Sequence, residues 1–203
     1  MKSKLFTAAL AALMLSSCTP KENGYFDNLP QEANPIEIGN KITNRFLEQG
    51  HSQYGSPLRV NEPRTQITYP DVCTWLGGLW FAQETDNKEL TERLKARFEP
   101  LFTNEAYLQP KPNHVDNNVF GAVPLELYLQ TGEERYKTLG MMYADSQWEL
   151  PANWKLKEGE ERQSSMYGDF KDADICQPEQ KEWADKGYSW QTRFWLDDMY
   201  MIT

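Results

Sequence analysis

The chain has 203 residues, a formal net charge of -9 and an aromatic content of 13 %. That length can bury a full hydrophobic core, and so acidic a surface excludes nucleic-acid binding driven by counterion release. An anionic substrate would therefore have to be held by local basic groups rather than by the overall field.

The N-terminus indicates export. Lys2 and Lys4 precede an apolar run from Leu5 to Leu15, which is too short for a permanent membrane span and has the flanks of a signal peptide. Leu15-Ser16-Ser17-Cys18 follows and resembles a bacterial lipobox, in which Cys18 is lipidated and becomes the mature N-terminus. The alternative is an ordinary secretory signal with an incidental cysteine. Residues 1–17 are thus a leader, and their removal takes two lysines and brings the net charge to -11. Residues 18–35 are polar and rich in Pro and Asn, as a tether would be. The protein is expected to be an exported lipoprotein of a Gram-negative bacterium, held in the periplasm or at the outer membrane by its lipid.

Residues 36–49 form the first periodic segment, with Ile38, Ile42 and Phe46 on one helical face and Gly50 as a stop. Residues 51–68 read as loop. A second helix spans about Asp71 to Gln83 and is apolar nearly all round; Gly77 and Gly78 within it predict close approach of a neighbour. The third, Lys88 to Phe98, is charged on one face and apolar on the other. The fourth, about Asp116 to Leu129, is again mostly apolar, and the fifth, Glu133 to Trp148, again amphipathic.

A helix apolar all round belongs inside, and one with a charged face belongs outside. The alternation therefore predicts two layers. A repeat supports this: Asp71 and Asp116 lie 45 residues apart and each opens an apolar helix, while the turns at Thr85 and Thr131 lie 46 apart. The expected fold is all-α, a hairpin repeat closed into an (α/α)6 toroid; an open helical solenoid is the alternative. Residues 149–193 break the rhythm with Pro151, Gly168, Pro178 and several Trp and Tyr, and read as a long loop over the ring mouth. A sixth helix begins at Arg193 and the sequence stops at Thr203. Six hairpins of about 45 residues would take roughly twice this length, so residues 36–203 are expected to be about the first half of the ring. Cys73, in a helix, and Cys176, in a loop, read as two separate thiols.

The string His114-Val115-Asp116-Asn117-Asn118-Val119-Phe120-Gly121, followed by Leu127-Tyr128-Leu129-Gln130-Thr131-Gly132-Glu133-Glu134-Arg135-Tyr136, resembles the unsaturated glucuronyl and rhamnogalacturonyl hydrolases, glycoside hydrolase families 88 and 105. Trp195-Leu196-Asp197-Asp198-Met199-Tyr200-Met201 is similar to that family's Trp-x-Asp-x-x-[Phe/Tyr]-Met signature, and Tyr69 to Ala82 to its early inner helix. The resemblance covers about residues 36–203, although residues 149–193 match little.

The resemblance implies a glycosidase that hydrates the C4=C5 double bond of an unsaturated uronic acid at the non-reducing end of a lyase-generated oligosaccharide. It implies Asp197 as acid/base, Asp116 as the supporting carboxylate, and Trp195, His114 and Arg193 as substrate contacts, with neither cofactor nor metal. Each residue also has a plainer role: an Asp that opens a helix is commonly its cap, as Asp71 is expected to be, Trp195 could be core, and His114 could be an exposed loop side chain. A glycan-binding surface lipoprotein of helical repeats, or another toroidal glycosidase or epimerase, are the rival readings. No P-loop, dinucleotide fingerprint, HExxH or Cys/His cluster occurs.

Overall fold

The computed structural model describes residues 29–53, 61–150, 155–156, 175–176 and 178–191. The chain divides into two units, Met1–Ile38 and Gly39–Thr203. In the first, a 3-10 turn at Gln31–Ala33 leads to Asn34, whose Oδ1 accepts from the backbone N–H of Ile36 at 2.9 Å and opens helix α1, Pro35–Glu48. The second unit holds the hairpins.

Helix α2, Tyr69–Glu84, starts with a capping box in which the Thr68 hydroxyl and the Asp71 carboxylate satisfy each other's backbone neighbours. The helix therefore starts before Asp71, and its N-cap is Thr68; Asp71, expected to be the cap, is instead the third helical residue, whose carboxylate accepts from the Thr68 N–H at 3.1 Å. Helix α3, Lys88–Phe98, is capped by Asn87 Oδ1, which accepts from the Leu90 N–H at 3.0 Å. Its buried residues Leu90, Leu94 and Phe98 stand four apart, and Pro100 ends it in a 3-10 turn, Glu99–Phe102.

The predicted fourth helix is not continuous. It divides into α4, Val115–Asn118, a 3-10 turn, Val119–Gly121, and α5, Ala122–Thr131. Pro124 explains the break: it has no N–H for the carbonyl of Phe120, and its ring crowds that carbonyl. Gly132, at φ 73°, closes α5 in the left-handed region and its N–H reaches the Tyr128 carbonyl at 2.7 Å. Helix α6, Glu134–Ser146, follows. Part of the expected long loop is also helical: α7, Pro178–Asp185, has Pro at its first position and a Lys181–Asp185 pair four residues apart. The same stretch holds a two-residue parallel pairing of β1, Lys155–Leu156, with β2, Ile175–Cys176.

The described residues are mostly helical, and α2/α3 and α5/α6 are antiparallel hairpins whose apolar helices α2 and α5 pack on each other. Phe98 is the aromatic hub, with ring centroids of Trp75, Phe102, Phe120 and Tyr136 at 5.3 to 5.8 Å. Gly78 allows Thr43 of α1 and Leu94 of α3 to approach to 3.1 and 3.3 Å of where its Cβ would stand, as predicted; nothing lies within 4 Å of Gly77.

Two expectations of burial fail. On α1 the buried residues are Thr43 and Phe46, and Ile42 is exposed, because close contact with α2 is made through Gly78 rather than through the isoleucine stripe. On α2, Val72, Trp75, Leu79 and Ala82 face the core, but Trp80 is 52 % exposed and Cys73 is a free, exposed thiol. On α5, Leu129 is 75 % exposed. Apolar residues on every side of a helix do not supply a neighbour for every side.

Candidate active site

The hairpins place the N-terminal ends of α2 and α4 side by side. Gln66 Nε2, just before α2, donates to Asn117 Oδ1 in α4 at 2.8 Å, and the Ile67 N–H donates to the Leu108 carbonyl at 2.8 Å. The loop entering α4 is fixed residue by residue. Tyr143 OH donates to the Pro110 carbonyl at 2.6 Å, Gln191 Nε2 to the Pro112 carbonyl at 3.1 Å, and Asn117 Nδ2 to Asn113 Oδ1 at 3.0 Å. Asn118 Nδ2 donates both to the Tyr143 carbonyl and to Ser146 Oγ, each at 3.1 Å.

Within this loop His114 is buried, in contrast to an exposed loop histidine. Its Nδ1 accepts from the Asp116 N–H at 3.1 Å, so the imidazole is the N-cap of α4. An Nδ1 that accepts has no proton, which puts the neutral ring's proton on Nε2. The cap fixes the ring's position, and Asp116 Oδ2 stands 3.6 Å from the same Nδ1. The Asp116 side chain retains 29 % of its exposure, so a rigid loop presents a carboxylate with access to solvent. Of the predicted site residues the structure thus brings together His114 and Asp116. Asp197, Trp195, Arg193 and Cys18 lie outside the described residues.

A second group of polar side chains, of which the sequence marked only Asp71, gathers at the same ends of the hairpins. Arg64 is buried and ion-paired with Asp71, donating also to Thr68 Oγ1 at 3.1 Å. Burial pushes the Asp71 carboxyl up, but the Arg64 and Thr68 hydrogen bonds and the Arg64 charge outweigh it and hold the group below the usual range. Nearby, His51 Nδ1 lies 2.6 Å from Glu105 Oε2, and Arg97 donates to the Gln49 carbonyl with its guanidinium 4.1 Å from the Phe46 ring centre. Partners 54 and 48 residues apart leave no local pattern by which these contacts could be read from sequence.

Among the described residues no group of three or more His, Cys, Asp or Glu could hold a metal ion, and no helix is long and apolar enough to cross a membrane. No family model matches the chain, and neither a curated protein nor a solved structure is significantly similar to it.

Proposed function

We propose that the chain belongs to a hydrolase of unsaturated uronides, in which the two hairpins are part of an (α/α)6 toroid and Asp116 stands at the ring mouth. The observation that carries this reading is the Asp116 carboxylate, held on a rigid, capped helix start yet open to solvent. Gln191 supports it: anchored on Pro112, it leads the chain from beside this loop into Arg193, Trp195 and Asp197, which lies six residues further on.

In the proposed reaction the neutral carboxyl of Asp197 gives its proton to C4 of the enoate, and the carboxylate so formed takes a proton from the water that adds to C5. The resulting C5 hemiketal opens, the bond from C1 to the departing oxygen breaks, and the neighbouring saccharide leaves. Asp116, as the second carboxylate, favours the protonated form of Asp197, since two close carboxyls do not both ionise readily. Trp195 provides a flat face for the sugar, Arg193 a cation for its carboxylate, and His114, through Nε2, a hydrogen-bond donor. No cofactor takes part. Cys18 carries the lipid that holds the enzyme in the periplasm or at the outer membrane.

The test is the loss of the enoate's ultraviolet absorbance when the protein, expressed from its complete reading frame, meets a lyase-generated disaccharide. Asp197→Asn should abolish turnover and Asp116→Asn should reduce it by about a hundredfold or more. Binding without turnover would favour a glycan-binding lipoprotein, and turnover of the saturated disaccharide an ordinary glycosidase; either overturns the proposal. Palmitate incorporation that persists in Cys18→Ala would refute the anchor.

A further inference from the structure

Ser189, Trp190 and Gln191 form a short turn, yet each is only 2 % exposed, buried as deeply as the core. Trp190 seats the turn on the end of α6: its backbone N–H donates to the Gln147 carbonyl at 3.1 Å and its indole Nε1 to the Ser146 carbonyl at 2.7 Å. The last carbonyls of a helix have no partner within it, so Trp190 serves α6 as a C-terminal cap. Ser189 Oγ accepts from the Gln191 N–H at 3.2 Å and fixes the Gln191 backbone, while Gln191 Nε2 donates to the Pro112 carbonyl at 3.1 Å.

Pro112 stands two residues before His114, and Asn118 two residues after Asp116. Pro110 and Pro112 have no N–H with which to brace the loop between them and α4. Their carbonyls take donors from elsewhere, Pro110 from the Tyr143 hydroxyl and Pro112 from Gln191. At the other end, Asn118 Nδ2 donates to Ser146 Oγ at 3.1 Å. Ser146 thus accepts from the Trp190 indole through its carbonyl and from Asn118 through its hydroxyl. The 189–191 turn therefore grips the start of the Asp116 loop directly and its end through one residue of α6.

We infer, resting on the reaction proposed for Asp116 and Asp197, that Gln191 is a positioning residue for Asp116. Through Pro112 it ties the loop of the second carboxylate to the segment that runs on from Gln191 to Asp197. Two carboxyls share one proton only at short separation, and a misplacement of about 1 Å in a reacting group costs on the order of a hundredfold in rate. One segment that carries the acid and also holds its partner's loop removes a source of that error. Glutamine does so with a neutral donor; a cation in its place would favour ionisation of the carboxyls.

The test compares the protein expressed from its complete reading frame with Gln191→Met, which keeps the length of the side chain and loses the Nε2 donor. Turnover of the enoate disaccharide should fall about tenfold in kcat with KM little changed. The alkaline limb of the kcat–pH profile should also move to lower pH, since Asp197 holds its proton less well when the Asp116 carboxylate is displaced. A mere loss of folded protein would scale that profile without moving it. Amide hydrogen exchange needs no turnover: the Asp116 N–H, bonded to His114 Nδ1, should exchange about tenfold faster or more, and the Leu94 N–H within α3 at the parental rate. A parental pH profile, parental exchange at Asp116, or exchange that rises equally at Leu94 would each overturn the inference. If the parent itself leaves the enoate unchanged, the reaction assigned to Asp116 and Asp197 fails, and exchange alone decides whether Gln191 holds the loop. Should Gln191→Met fail to fold, Trp190→Phe, which keeps a buried ring and loses the bond to Ser146, is judged by the same measurements and the same outcomes.

Discussion

Replacing Gly121 by alanine tests how closely the second hairpin is packed. The added Cβ would stand 2.5 Å from the Cβ of Tyr143 and 3.1 Å from the Gly140 carbonyl oxygen, where carbon atoms normally keep about 3.5–4.0 Å. Tyr143 cannot swing aside. Its Cβ is fixed by the backbone of α6, and its hydroxyl is tied to the Pro110 carbonyl at 2.6 Å. Helix α6 must therefore separate from the turn by about 1 Å, at an overpacking cost of about 1–3 kcal/mol. Alanine restores about 0.4–1 kcal/mol by restricting the unfolded chain. The net loss is about 1 kcal/mol, a fall in Tm of about 2–4 °C for a domain of this size. Gly77→Ala is the control, since nothing lies within 4 Å of its Cβ position and it sits inside α2. It should gain about 0.5–1 kcal/mol. Thermal melting followed by far-ultraviolet circular dichroism reads both variants. A Gly121→Ala protein that melts at or above the parent would refute this account, as would a Gly77→Ala protein that loses as much as Gly121→Ala.

Asp71→Asn should cost about 2–4 kcal/mol, because it strands the buried Arg64 charge; the side chain of Asp71 keeps some solvent, which favours the lower figure. The folded-state pKa of Asp71 is depressed, so its contribution is present above the unfolded value near 3.8 and is lost as pH falls through the folded value. The urea midpoint of the parent should accordingly drop at acid pH below that point more than that of Asp71→Asn, and parallel curves would refute the linkage. His51 acts at milder acidity. Its folded pKa lies below 6.5, so between the two values the unfolded chain binds a proton that the folded chain refuses. Stability should decline as pH falls below about 6.5, and His51→Phe should flatten that decline; an unchanged slope would show that burial does not keep His51 neutral.

What could be read from the sequence was what local pattern determines. The four-residue spacing of Leu90, Leu94 and Phe98 and the Asn87 cap give α3 its observed ends. Pro124 carried the break between α4 and α5, and Pro178 the start of α7, but in each case the surrounding composition of apolar run or polar loop masked a single residue's backbone chemistry. Exposure of Trp80 and Leu129 could not be read at all, since apolarity states what a face prefers and not what meets it. The site divides in the same way. Asp116 is marked by its place at a helix start. His114 gave no sign of being a cap, a role usually filled by Ser, Thr, Asp or Asn, and the pairing of His51 with Glu105 exists only once the chain has folded.

The repeat places two helix-opening aspartates at one end of the unit, one in a buried ion pair and the other partly exposed. Antiparallel hairpins bring the N-terminal ends of α2 and α4 and the C-terminal ends of α3 and α6 to one end of the unit, where Asp71 and Asp116 occupy corresponding places 45 residues apart. In the first hairpin, Arg64 lies seven residues before the aspartate and engages it fully. Seven residues before Asp116 stands Gln109, whose side chain is turned away to the Leu101 carbonyl at 2.7 Å. The residue at the position of Arg64 is thus an amide directed at the backbone of another turn. The His114 ring caps the backbone at Asp116, whose side chain keeps 29 % of its exposure. The two helix openings therefore differ in what stands seven residues before the aspartate: in one a guanidinium that engages it, in the other an amide that bonds elsewhere.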